Sequence, residues 1–117
     1  MTDTSAFDPS QFPHPSIPLR AEGFVDDFHI APDAFIAPNA MLMGTVTIGA
    51  RSSVWFNCVV RGDIAEIVIG EDTNIQDGTI VHCSKDLKTT VGDRVTVGHN
   101  CLLHACTVET RAVIGMA

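Results

Sequence analysis

The chain has 117 residues, a length that suits one domain, and carries seven basic residues against fourteen acidic ones for a formal net charge of −7. That balance argues against nucleic acid or an anionic membrane surface as partner, because both are held through basic patches. Aromatic residues make up only 6% of the chain, with no Tyr and one Trp, which suits a narrow core of aliphatic and small side chains.

Residues 1–22 read as an extended Pro-rich arm, with Pro9, Pro13, Pro15 and Pro18 set among polar neighbours and no hydrophobic period. The arm lacks the apolar segment of a signal peptide, and no later run approaches membrane-spanning length. The cytoplasm is the expected location, with no membrane partner.

Residues 23–117 are organised differently. Ile30, Ile36, Leu42, Ile48, Val54 and Val60 follow one another at six-residue steps. The phase slips and resumes at Ile69, Ile75 and Val81, again at Val91, Val97 and Leu103, and closes on Val108 and Ile114. Four residues after most of these stands a small or short-branched residue: Ala34, Ala40, Val46, Ser52, Cys58, Thr73, Thr79, Val95, Cys101, Thr107. A period of six fits neither a helical face nor one long alternating strand. It fits an all-β solenoid, a parallel β-helix of short strands and tight turns forming a triangular prism, with both recurrent positions pointing inward. Three repeats close a coil of about 18 residues, with coils spaced about 4.8 Å apart. A β-sandwich of short strands is the alternative, but sandwiches do not keep so strict a phase. Gly49, Gly70, Gly92, Gly98 and Gly115 each follow a repeat aliphatic and are expected to permit turn conformations that other residues resist.

Two insertions interrupt the phase. One adds three residues between Val60 and Ile69; the other adds four between Val81 and Val91, so that Leu87–Thr90 or its neighbours form a small excursion. With these removed, Val60, Val81 and Leu103 share one face, and Arg61, His82 and His104, each one residue later, stack in a column. Ile75 and Val97 share another face, with Asp77 and His99 at equivalent positions two residues on. His82 and His104 are thus neighbours at about one inter-strand spacing, whereas His99 projects from the adjacent side and does not reach them within one chain. A symmetric trimer brings the His82/His104 column of one copy against the His99 face of another, and three imidazoles with an open fourth position are the donor set of a catalytic zinc site. Single histidines on a solenoid are usually solvated, as expected for His14 and His29. Cys83, beside His82, is a weaker candidate ligand because alternation turns it away.

Cys58 and Cys101 fall at inward positions, and Cys83 and Cys106 form no CxxC pair, so reduced structural thiols are expected. The chain ends in mid-repeat at Val113–Ala117 without a capping element, which reads as a C-terminal truncation, since solenoid ends expose core and strand edges.

Arg61-Gly62-Asp63, Thr73 through Gly78, Val81-His82, and Val97-Gly98-His99 through Leu103-His104 together resemble the γ-class carbonic anhydrase family, from about Gly23 to the end of the chain. The resemblance is to its short-loop, bacterial-type branch. It implies a left-handed β-helix, a homotrimer, and reversible hydration of carbon dioxide to bicarbonate by a metal-bound hydroxide at the subunit boundary, a lyase reaction. It implies His82 and His104 of one subunit and His99 of its neighbour as ligands of Zn2+, with Fe2+ or Co2+ as alternatives suited to imidazole. It implies Gln76 as the residue bonding the hydroxide, Arg61 and Asp77 as an ion pair across the boundary, and Asp63 and Asn74 as polar supports of the site. Where the family places proton-transferring glutamates, this chain has Ile64 after Asp63 and a short Cys83–Lys88 loop whose only acid is Asp86, which predicts slow proton removal; Glu66 is nearby but unmatched. The competing functions are a thioesterase on the same metal site, a non-catalytic metal-binding or assembly subunit, and, last, a hexapeptide acyltransferase.

Overall fold

The computed structural model describes residues 25–117, so the Pro-rich arm expected over residues 1–22 lies outside the described residues. The fold is a left-handed parallel β-helix. Its strands are β1 (Asp27–Ile30), β2 (Phe35–Ile36), β3 (Met41–Ile48), β4 (Ser53–Val54), β5 (Val59–Ile69), β6 (Asn74–Ile75), β7 (Ile80–His82), β8 (Thr89–Val91), β9 (Thr96–Val97), β10 (Leu102–His104), β11 (Thr107–Val108) and β12 (Val113–Ile114). No helix among the described residues is long and apolar enough to cross a membrane.

Among the described residues every ladder is parallel and joins a strand to its equivalent one coil further on. One face runs β2-β4-β6-β9-β12; a second runs β3-β5-β7-β10 through the N-terminal halves of the two long strands. The third carries β1, the C-terminal halves of β3 and β5, then β8 and β11. Strands β3 and β5 each bend round one edge of the prism, where Gly44 pairs with Gly62 and Gly44 adopts a φ of 79°.

The inward columns are the ones the six-residue period predicts. Ile36, Val54, Ile75 and Val97 are in register and buried, and so are Leu42, Val60, Val81 and Leu103. The small residues four positions on are buried too, from Ala34 to Cys101. Buried hydroxyls among them satisfy backbone groups of the next coil: Thr73 Oγ1 donates to the Gly92 carbonyl (2.7 Å), and Thr79 Oγ1 donates to that of Gly98 (2.8 Å). Thr79 Oγ1 also accepts from the Cys101 amide (3.1 Å), so one side chain serves both a donor and an acceptor that burial would otherwise leave unpaired.

Three expectations need correction. Thr107 is exposed rather than inward, because only five residues separate Leu103 from Val108 and alternation within β11 turns Thr107 out. The excursion in the last insertion is centred on Ser84–Leu87, where the amides of Ser84 and Leu87 bond each other's carbonyls at 3.0 and 3.1 Å; Thr89 and Thr90 already belong to β8. The Gly49–Gly70–Gly92 column does not supply the left-handed turns. Those fall two residues later, at Arg51, Asp72, Arg94 and Arg111, with φ between 53° and 68°. The glycines are needed for close approach instead: a Cβ on Gly49 would lie 2.7 Å from the backbone of Gly70.

Candidate metal centre

The face built by β7 and β10 carries His82 and His104 directly opposite each other in the ladder, with Arg61 of β5 in register before them. One strand spacing and identical backbone direction leave the two imidazoles stacked, their planes 4° apart and their centroids 5.3 Å apart.

The three-residue insertion after Val60 shapes what surrounds them. Gly44 pairs with Gly62 and Val46 with Ile67, so the extra residues bulge out of β5 and carry Asp63 over the strand end. Asp63 Oδ1 lies 2.9 Å from His82 Nε2, and Arg61 donates to Asp63 Oδ2 at 2.7 Å. The Asp63 side chain is nearly buried, at 6% exposure. Burial pushes its carboxyl upward, but hydrogen bonds from His82 and Arg61 and the Arg61 charge outweigh that and hold it below the ordinary carboxylate value.

His104 Nε2 donates to the Cys83 carbonyl at 3.1 Å. Thr89, buried on the next face, donates its hydroxyl to the His82 carbonyl and accepts from the Ala105 amide at 2.9 Å. It thereby ties the ends of both histidine strands together. Nothing in the sequence singled it out beyond its lying beside an insertion.

His99 follows β9 and shares a corner with Asp77, Nδ1 to Oδ1 at 3.5 Å, both about half exposed. His99 and Asn100 form the turn at one corner, with Asn100 at a φ of 54°, and β10 then carries the chain across the face to His104. One chain therefore presents two imidazoles at one edge of that face and the third at the other. Between the edges Ile80 and Leu102 are in register and exposed, at 43% and 68%.

Gln76 and Asn74 lie on the neighbouring face as a fixed pair: Gln76 Nε2 donates to Asn74 Oδ1 at 2.9 Å, and Asn74 Nδ2 to Thr96 Oγ1 at 3.3 Å. Arg61 is engaged with Asp63 in its own chain, and Asp77 with His99. Ile64 stands 55% exposed beside Asp63. Glu66 meets Lys88 at 3.3 Å.

All four cysteines are free. Burial pushes the Cys58 thiol up, in keeping with an unreactive packing role. Cys83 is fully buried, yet its Sγ is 4.0 Å from Asp63 Oδ1. Asp63, His82 and Cys83 bring three ligand atoms within 4.8 Å of one another, a grouping the alternation argument had discounted.

The two ring hydrogen bonds bear on whether a metal fits. Histidines that ligate metals usually give their second ring nitrogen to a carboxylate or a backbone carbonyl, which fixes tautomer and orientation. His82 and His104 have one partner of each kind, leaving Nδ1 of both rings as the remaining donor. The donor set fits a borderline-soft divalent cation.

Residues 29–62 match the family model described as bacterial transferase hexapeptide (six repeats). Over 90 residues the chain is 50% identical to gamma carbonic anhydrase 2, mitochondrial, of Arabidopsis thaliana, covering 72% of this chain and 32% of that protein. Over 87 residues it is 48% identical to a carbonic anhydrase of Geobacillus kaustophilus, covering 74% of this chain and 48% of that protein. The crystal structure of a hexapeptide transferase family protein from Anaplasma phagocytophilum superposes with a TM-score of 0.65 at 42% identity, covering 76% of this chain and 59% of that one. The chain spans between 32% and 55% of the length of the first curated relatives it matches.

Proposed function

We propose that this chain, whose sequence and fold support a hexapeptide-repeat, γ-carbonic-anhydrase-like protein, is one subunit of a metal-dependent carbonic anhydrase that interconverts carbon dioxide and bicarbonate. The observation that carries the reading is the pair of stacked imidazoles, His82 and His104, each with a second-nitrogen partner typical of a metal ligand. The similarity to proteins named carbonic anhydrases supports it.

His82 and His104 of one copy and His99 of a second would hold the ion, with Zn2+ as the default and Fe2+ or Co2+ as alternatives. The bound cation supplies Lewis acidity, which brings the pKa of a coordinated water to around 7. Because the two half-sites lie on opposite edges of one face, a contact that joins them is head-to-tail, and such contacts form a ring when the rotation between copies closes. A homotrimer is the ring proposed. The exposed Ile80 and Leu102 between the half-sites supply apolar area for that contact.

The remaining roles follow from position. Asp63 orients His82. Gln76, held by Asn74, offers an amide of fixed direction for the oxygen that attacks carbon dioxide. Arg61 places positive charge where the bicarbonate anion forms, and an ion pair with Asp77 of a neighbouring copy lies within the same contact. Ile64 cannot relay a proton, so turnover is limited by proton removal. That limit favours, as a second reading, a metal-binding subunit with an assembly role. Stopped-flow hydration assays on the complete gene product decide between them: activity that rises with added zinc and is lost in His104→Ala supports the anhydrase, and zinc uptake without hydration supports the second.

A further inference from the structure

Cys83 is not needed by the cross-chain site, yet it is the best-placed soft donor among the described residues. Its Sγ lies 3.2 Å from the Ala65 carbonyl and 3.7 Å from that of Arg61, turned toward the bulge that carries Asp63. From these contacts we infer a second cation site, complete within one chain, formed by Asp63 Oδ1, a ring nitrogen of His82 and the Cys83 thiolate. It would take a borderline-soft divalent ion such as Zn2+ or Co2+.

The geometry is close to what such an ion requires. Tetrahedral zinc, with bonds of roughly 2.0–2.3 Å, sets its O···N and O···S donors roughly 3.4 and 3.6 Å apart. Here Asp63 Oδ1 is 2.9 Å from His82 Nε2 and 4.0 Å from Cys83 Sγ, so both separations from the carboxylate lie within about half an ångström of those values, and the imidazole and thiol ligand atoms lie within 4.8 Å of each other. A cation entering between them replaces the hydrogen now shared by His82 Nε2 and Asp63 Oδ1, and the neutral imidazole then carries its one proton on Nδ1. The thiol proton leaves to solvent, and carboxylate plus thiolate neutralise the dication. Arg61 keeps Asp63 Oδ2, so Oδ1 remains the free ligand.

The site's order is prepared by the fold rather than by the metal. Asp63 and Cys83 belong to coils joined by the Arg61–His82 register. Burial of Cys83 protects the thiolate from oxidants, and the fourth tetrahedral position is left to a water. Both sites draw on one imidazole, so a chain loads one or the other. The inner site lets an unassembled chain carry the ion, and association with His99 of a second copy draws it outward.

Cobalt(II) substitution of the full chain tests this. The expected result is a near-ultraviolet thiolate-to-cobalt charge-transfer band in His99→Ala, whose three-histidine centre cannot form, that is also seen in His104→Ala and persists when Cys106→Ser is added. The band should vanish in Cys83→Ser, and Asp63→Asn should weaken cobalt affinity at least tenfold. Zinc-edge absorption on His99→Ala, in which the ion cannot be drawn outward, should find one sulfur at about 2.3 Å. A coordination sphere of nitrogen and oxygen alone in His99→Ala, or a band that survives Cys83→Ser, overturns the inference. Failure of the three-histidine reading would look different: no hydration activity, with the sulfur signature intact in His99→Ala.

Discussion

Asp63 and His82 are 19 residues apart, yet Oδ1 and Nε2 are 2.9 Å from each other, because the insertion in β5 bulges over the neighbouring coil. The carboxylate is almost fully enclosed, so it acts on the histidine rather than on solvent. Asp63→Asn keeps the shape but removes the charge that fixes the imidazole. Loss of such a partner lowers metal affinity by about 10- to 100-fold. Competition with a chelator of known affinity measures this, and an unchanged dissociation constant would mean Asp63 does not orient His82.

Arg61→Ala removes both the Asp63 bond and the cation proposed to meet Asp77 of another copy. Truncating one member of an interfacial charge pair costs about 2 kcal/mol or more. Sedimentation velocity should show the trimer dissociating at concentrations where the unmutated protein is intact. Identical profiles would place Arg61 outside the contact.

Thr79→Val preserves volume and removes a hydroxyl that serves the Gly98 carbonyl and the Cys101 amide. Two buried backbone groups lose a partner, and the expected cost is about 1–3 kcal/mol. Denaturant unfolding of the purified chain reads it directly. Gly70→Ala should also destabilise, by about 1–3 kcal/mol, because the new Cβ would lie 2.7 Å from the Gly92 carbonyl oxygen.

Arg51 and Asp72 give a pH dependence of defined sign. The Arg51 hydrogen bond to Asp72 (2.8 Å) holds that carboxyl below its ordinary value. A depressed carboxylate contributes stability above its unfolded pKa of about 3.9, and the contribution disappears as pH falls through the lower native value. Both side chains are partly exposed, so the effect is small. Melting temperatures of the native chain and Asp72→Asn should converge as pH drops below about 4. Curves that stay parallel to pH 2 would deny the pair any role.

Much of this was legible in the sequence, for a physical reason. A six-residue period fixes which residues point inward, and counting along it placed Val60, Val81 and Leu103 in one column with Arg61, His82 and His104 beside them, as the ladder has them. Columns survive because each coil repeats the last. The insertions carry no such rule. The approach of Asp63 to His82 and the role of Thr89 arise where the period breaks; alternation turned Cys83 inward correctly, but the bulge that brings Asp63 within 4.0 Å of its thiol follows no such rule. The glycine column misled in another way: a missing side chain serves a left-handed turn and a close backbone approach equally well in sequence, and only the spacing between coils separates them.

The cross-chain site is tested most directly by complementation. His99→Ala chains lack one half-site and His104→Ala chains lack the other, so neither alone can assemble a three-imidazole centre. Co-assembled from both, in a Cys83→Ser background that removes the inner thiolate, every mixed trimer contains one intact boundary. Zinc content should rise to one ion per mixed trimer, with hydration activity returning alongside it. Mixed trimers as metal-free and inactive as their parents, or full zinc occupancy in the His99→Ala homotrimer of that background, would contradict a centre shared between copies.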